Sequence, residues 1–175
     1  STTFGFESLE AMNAEQALGR DGAFYQRTGH PTVRSAERHL AEIEGVEDAL
    51  LFSSGIAAIA AVFLSHLQVG DHVVALHQSY GGTHDLLRFG EQRLGWLVDF
   101  VDARTPADWS RAFRPHTRLL HIESPTNPTN VVVDIAAAAQ LAHSRGALLS
   151  VDNTFASPLG QHPAEWGADI VEYSA

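Results

Sequence analysis

The chain has 175 residues and a mass of 18.9 kDa, room for one well-buried domain, and its 45% apolar and 18% charged composition is ordinary for a globular protein. A formal charge of −10 argues against a nucleic-acid partner, whose phosphates need clustered cations, although a few arginines at one site can still hold a small anion. With zero cysteines, disulfides, thiolate nucleophiles and cysteine-based zinc sites are all excluded.

The N-terminal "STTFGFESLEAM" lacks the basic start and apolar core of a secretory signal, which sets the expectation of a cytoplasmic protein. Residues 1–32 carry no strong period and contain Gly5, Gly19, Gly22 and Gly29, so they read as an irregular arm with one short helix. The next stretch places Val33, Ala36, Leu40 and Ile43 at helical spacing and stops at Gly45, a C-cap signal. "DALLF" then reads as a strand and "GIAAIAAVFLSHL" as a helix rich in small residues. Its apolar run is far short of the roughly 20 residues needed to span a bilayer.

Alternation continues to the end. "QVGDHVVAL" is a turn and a strand, and "GGTHDLLRFGEQRL" a helix with Leu86, Leu87 and Leu94 on its apolar side. "WLVDFV" is a strand, "TPADWSRAF" a short helix with Pro106 near its start, and "RLLHI" a strand. "DIAAAAQLAHSRG" is a helix ending at Gly146, and "ALLSVD" and "ADIVEY" are the closing strands. Short strands without polar alternation, separated by helices, indicate a buried, mostly parallel sheet in an α/β domain over residues 33–175.

In open α/β sheets ligands collect at the carboxyl ends of the strands. In "FSSGIAA", Ser53, Ser54 and Gly55 lead into a helix whose free N–H groups suit a phosphate; taken alone, an ordinary N-cap and tight turn is the plainer reading. Neither a G-x-G-x-x-G fingerprint nor a P-loop occurs, and the latter needs a lysine, which this sequence lacks: all eleven cations are arginine. Tyr80 in "SYGGT" could cover a flat ring or only the core edge. Asn127 in "ESPTNP", between two prolines, could hold a ligand oxygen or merely close a rigid turn. Asp152 ends an apolar run, where a carboxylate is costly without a basic group, an N–H cluster, a metal or a protonated ring nitrogen beside it; a cap on the next turn is the plainer role. The ten histidines show no metal-ligand spacing.

A phosphate, a flat ring, a phenolic oxygen and a pyridinium nitrogen are together the needs of pyridoxal 5′-phosphate (PLP). The stretches "FYQRTGHPT", "SSGIAAI", "GDHVV", "YGGT", "ESPTNP" and "DIAAAAQLAHSRGALLSVDNTFASPLGQHPAEWGADIVEYSA" run in order through nearly the whole chain. In them the sequence resembles the Cys/Met-metabolism family of PLP enzymes, the group of cystathionine γ-synthase, cystathionine lyases and methionine γ-lyase. The resemblance implies the large domain of a PLP-dependent transferase-like fold (fold type I, aspartate-aminotransferase-like). It implies that Ser54, Gly55, Ile56 and Ser174 meet the phosphate, and that Tyr80 stacks on the ring and assists proton transfer. Asn127 would contact the phenolic oxygen, Asp152 the pyridinium proton, and Thr154 would sit beside the ring. Tyr25 and Arg27 match a pair that reaches the cofactor phosphate of a neighbouring subunit, which implies a homo-oligomer, dimer or tetramer, with shared sites.

In the family this last strand runs into Ser-x-Thr-Lys, whose lysine binds the cofactor covalently. "SA" at 174–175 matches its first two positions, so the expectation is the N-terminal part of a longer enzyme that also has a smaller C-terminal domain. Two departures stand out: Gly82 replaces a cysteine common in methionine γ-lyases, and Ile56 replaces the usual methionine of "SSGM". The implied activity is a carbon–sulfur lyase of sulfur amino-acid metabolism, γ-elimination on methionine- or cystathionine-like substrates. γ-Replacement of the cystathionine γ-synthase or O-acylhomoserine sulfhydrylase type is the alternative. A lysine-free, non-catalytic binding protein is the alternative of another class.

Overall fold

The computed structural model describes residues 2–175; Ser1, the first residue of the expected arm, lies outside the described residues. Residues up to Leu51 form one compact unit and Phe52–Ala175 a second. The first unit thus includes the helix after the expected 1–32 arm as well as the arm itself.

In the first unit, α1 (Leu9–Ala17) starts where the Ser8 Oγ accepts the Ala11 N–H at 3.1 Å, and a 3₁₀ turn follows at Gly19–Asp21. α2 (Pro31–Glu44) has proline in its first turn and stops at Gly45, whose φ of 68° is the left-handed cap glycine tolerates. The apolar stripe expected on α2 is turned outward: Val33, Ala36 and Ile43 are exposed and Leu40 half-buried, whereas Glu37, Ala41 and Glu44 are buried. Glu37 explains the inversion, because its carboxylate gathers Arg20 at 2.8 Å, Arg34 at 3.4 Å and the Leu51 N–H at 3.0 Å. "DALLF" is not a strand. The Ala49 carbonyl accepts from Arg20 and the Leu51 N–H donates to Glu37, so side chains take the groups a ladder would use, and Leu50, Leu51 and Phe52 are exposed.

The second unit is a five-stranded, wholly parallel sheet in the order β2-β1-β3-β4-β5. Its strands are β1 (His72–Leu76), β2 (Leu97–Val101), β3 (Thr117–Glu123), β4 (Leu148–Asp152) and β5 (Ile170–Glu172). α3 (Gly55–His66) precedes β1, α4 (Gly81–Phe89) follows it, α5 (Pro106–Trp109) and α6 (Ile135–Ser144) flank β3, and α7 (Ser157–Gly160) follows β4. α4 ends in a wider π-helical turn, Gly90–Leu94; a Cβ at Gly90 would overlap the Trp96 ring packed against it.

Strand alternation divides the core between two faces. Val74, Leu76, Leu120, Ile122, Leu149 and Val151 pack with α6 (Ile135, Ala138, Ala139, Ala142) and Trp109. Val73, Ala75 and Leu119 pack on the other face with Ile59 and Phe63 of α3, Leu87 of α4, and Trp96. Among the described residues no helix is long and apolar enough to cross a membrane.

Candidate active site

From β1 the chain goes to β2 on one side and then returns to β3 on the other. Such a reversal opens a crevice at the carboxyl ends of the strands. A cavity of about 280 Å³ lies at those ends in the second unit. Ser54, Gly55, Ile56, Tyr80, Asn127, Asp152, Thr154 and Ser174, all expected from sequence, line it together with Glu123 and Glu172. Tyr25 and Arg27 belong to the first unit, where the Arg27 guanidinium lies 5.3 Å from the centroid of the Tyr25 ring.

Each lining side chain is set by local structure. Ser54 is the N-cap of α3, its Oγ accepting the Ala57 N–H at 3.3 Å, so the capping reading of this serine holds whatever else it does. Gly55 has no room for a side chain: a Cβ there would lie 2.6 Å from the Ser174 Cβ. That contact brings the start of α3 against the end of β5. The Ser174 N–H donates to Thr154 Oγ1 at 2.9 Å, and the Thr154 N–H donates to Asp152 Oδ1 at 3.0 Å, so the segments after β4 and β5 are tied together. Tyr80 precedes α4, and a Cβ at Gly82 would overlap its ring.

Glu123, which sequence reasoning passed over inside "ESPTNP", joins the two sides of the crevice. Its Oε2 accepts the Tyr80 N–H at 2.7 Å and its Oε1 the Asn127 N–H at 2.6 Å. One buried carboxyl thereby locates both the aromatic group and the amide. Its only signal in sequence was an acidic residue ending an apolar run, the pattern that singled out Asp152. Glu172 carries the same signal at the end of β5. Its Oε1 accepts from Ser150 Oγ at 2.8 Å, and His121 Nδ1 lies 2.8 Å from the same hydroxyl.

Burial pushes Glu123 up to about 7 and Glu172 up to about 8 from the ordinary 4.5, and pushes His121 down to about 4 from 6.5. Both glutamates bind their protons more tightly folded than unfolded. The stability they contribute is complete below about pH 4.5 and is lost as pH rises through their folded values. His121 acts oppositely: its contribution is present above 6.5 and lost as pH falls towards about 4. Above pH 6.5, therefore, the two glutamates set the slope. The melting temperature is expected to fall between about pH 6.5 and 8.5, and Glu172→Gln to flatten that fall. Thermal melts across this range check it, and a wild-type melting temperature that rises with pH would contradict it.

Comparison with known proteins gives a consistent set of likenesses. A family model described as "Cys/Met metabolism PLP-dependent enzyme" matches residues 1–175. O-succinylhomoserine sulfhydrylase of Pseudomonas aeruginosa is 43% identical over 175 residues, covering 100% of this chain and 43% of its own length. L-methionine gamma-lyase of Treponema denticola is 38% identical over 177 residues, covering 100% of this chain and 44% of its own. A solved structure from Campylobacter jejuni that carries a pyridoxyl-lysine phosphate superposes with a TM-score of 0.90 at 27% identity, covering 99% of this chain and 43% of that one. The chain thus spans less than half the length of the curated relatives it matches.

Proposed function

The chain belongs to the Cys/Met-metabolism family of PLP-dependent enzymes, and from that premise we propose that the protein is a carbon–sulfur lyase of sulfur amino-acid metabolism, acting by γ-elimination on methionine- or cystathionine-like substrates. The observation that carries this reading is the gathering of Ser54, Tyr80, Asn127, Asp152, Thr154 and Ser174 around one cavity at the strand ends. The cavity fits the cofactor chemically. Asp152 is 6% exposed, and no ion pair to it is found among the described residues, so a cationic ring nitrogen is the kind of partner it needs. The N-terminus of α3 opens on the same space and offers N–H groups to a phosphate.

When bound, the cofactor supplies an electron sink for the charge that develops at the substrate Cα. The chain's own residues do the rest. Ser54, Gly55, Ile56 and Ser174 hold the phosphate, Asn127 fixes the phenolic oxygen, and Thr154 borders the ring. Tyr80, which lines the same cavity, would cover the ring face and assist proton transfer. Asp152 keeps the ring nitrogen protonated. Residues 1–32 form an arm whose Tyr25 and Arg27 reach the phosphate of a neighbouring subunit's cofactor, in a cytoplasmic homodimer or homotetramer with shared sites.

γ-Replacement is the second reading, favoured by the 43% identity to a sulfhydrylase. Protein expressed from its full coding sequence decides between them. Keto acid and ammonia released from methionine or cystathionine indicate elimination, and a thioether formed from an activated homoserine and a thiol indicates replacement. The absence of any pyridoxyl adduct after borohydride reduction would overturn both and leave a non-catalytic binding protein.

Gly55→Ala tests the phosphate end. The added methyl meets Ser174 at 2.6 Å, and overpacking of this kind costs about 1–3 kcal/mol. The overlap forces the start of α3 and Ser174 apart whether or not ligand is bound, so the variant is expected to melt lower. With both phosphate-facing segments displaced, it should lose cofactor affinity roughly 5- to 150-fold, read by equilibrium dialysis. Unchanged affinity would remove the start of α3 from the phosphate site.

A further inference from the structure

β3, β4 and β5 bring three carboxyl groups into one row: Glu123 is the register partner of Asp152, and Asp152 of Glu172. In-register residues of parallel strands share a face, here the face covered by α3, where the Phe63 ring packs edge-on to His121 at 5.1 Å. The three acids are not equivalent. Both oxygens of Glu123 accept backbone N–H groups, so it is committed to Tyr80 and Asn127. Asp152 has the Thr154 N–H on Oδ1. Glu172 has Ser150 on Oε1, while its Oε2 is buried with no hydrogen-bond partner in a residue that lines the cavity and is 4% exposed.

Proton counting gives that orphan atom a task. Ser150 has one hydroxyl proton. It can go to Glu172 Oε1 with His121 Nδ1 donating to Ser150 Oγ, or to His121 Nδ1 with a neutral Glu172 donating from Oε1. Only the first order puts the acid's proton on the buried, otherwise unpartnered Oε2. In that order the chain of donors runs His121 to Ser150 to Glu172, and a neutral Glu172 carries its own proton on Oε2. We propose that Glu172 is a positioning residue which, as a neutral acid, donates from Oε2 to the Asp152 carboxylate and holds it ready for the ring nitrogen of the cofactor. Burial keeps this acid neutral at ordinary pH, and the charge on Asp152 acts in the same direction. A second donor stabilises Asp152 as an anion, so the proton it shares with the ring stays on the ring nitrogen. The proposal rests on the cofactor reading given above.

The test uses holoenzyme from the full coding sequence, loaded with ¹⁵N-labelled PLP and carrying ¹³C-labelled glutamate. At about pH 7 the wild-type Glu172 carboxyl is expected at the neutral-acid position and the ring nitrogen to be protonated. Glu172→Gln retains a donor and should leave the ring ¹⁵N shift in place, with cofactor Kd within about threefold. Glu172→Val removes the donor and should move the ¹⁵N shift towards the unprotonated ring and raise Kd about tenfold or more. An ionised Glu172 in the wild-type holoenzyme, or a valine variant that matches the glutamine one in both readouts, overturns the proposal. If the valine variant does not fold, Asp152→Ala decides. The Glu172 ¹³C resonance moves if the two acids touch, and an unmoved resonance overturns the contact. Wild-type protein that takes up no PLP would instead defeat the cofactor reading itself.

Discussion

Asp152→Asn is expected to lower turnover of the proposed elimination by roughly two to four orders of magnitude. The carboxyl group is 6% exposed and caps a strand whose interior is wholly apolar apart from Ser150. Asparagine keeps its shape and can still accept the Thr154 N–H, which the native Oδ1 takes at 3.0 Å, so the loop after β4 should survive. What is lost is the negative charge. Breaking a buried charge pair costs about 3–5 kcal/mol, and each ~1.4 kcal/mol is a factor of ten in rate. The loss should fall on kcat more than on KM, because the charge acts on the ring and not on the incoming amino acid. Steady-state kinetics on variant protein shown to be loaded with cofactor measures it. Turnover within about threefold of wild type would mean that Asp152 only caps the following turn, the plainer role its sequence also allows.

The second large effect is on stability. Phe63 of α3 is fully buried, edge-on to His121 at 5.1 Å and to Trp96 at 6.2 Å. Truncation to alanine in such a place typically costs about 3–5 kcal/mol through lost transfer energy and the cavity left behind. Against a typical total of about 5–15 kcal/mol, Phe63→Ala should shift the denaturant midpoint sharply, whereas Phe63→Leu should recover most of the loss. The position carries a functional corollary, since the ring seals the end of the His121–Ser150–Glu172 chain from α3. A midpoint shift equivalent to less than about 1 kcal/mol would mean that the site collapses around the missing ring.

Much of the fold was legible in the chain itself. Strands read from short apolar runs at Val73, Val98, Leu119 and Leu149 are strands, and the glycine stops at Gly45 and Gly146 end helices, since caps and apolar periods are local. The local signals failed where a distant partner took over. "DALLF" has strand composition, but Arg20 and Glu37 claim its backbone groups. The α2 stripe has helical spacing, yet the buried side of the helix is the one on which Glu37 collects its arginines.

The site divides in the same way. Ser54, Tyr80, Asn127 and Asp152 could be named from sequence because each stands where an apolar run gives way to polar or glycine residues, and strand ends are where parallel sheets place ligands; Ser174 entered only through the family resemblance. Glu123 and Glu172 show the same mark and could not be given a task from it. Glu123 holds Tyr80 across 43 residues, and Glu172 meets Ser150 across 22. Sequence alone determined which positions reach the carboxyl edge of the sheet. Strand order and register, set by how helices and strands pack on both faces, decided which acids stand side by side there, and burial in the assembled sheet is what raises Glu123 and Glu172.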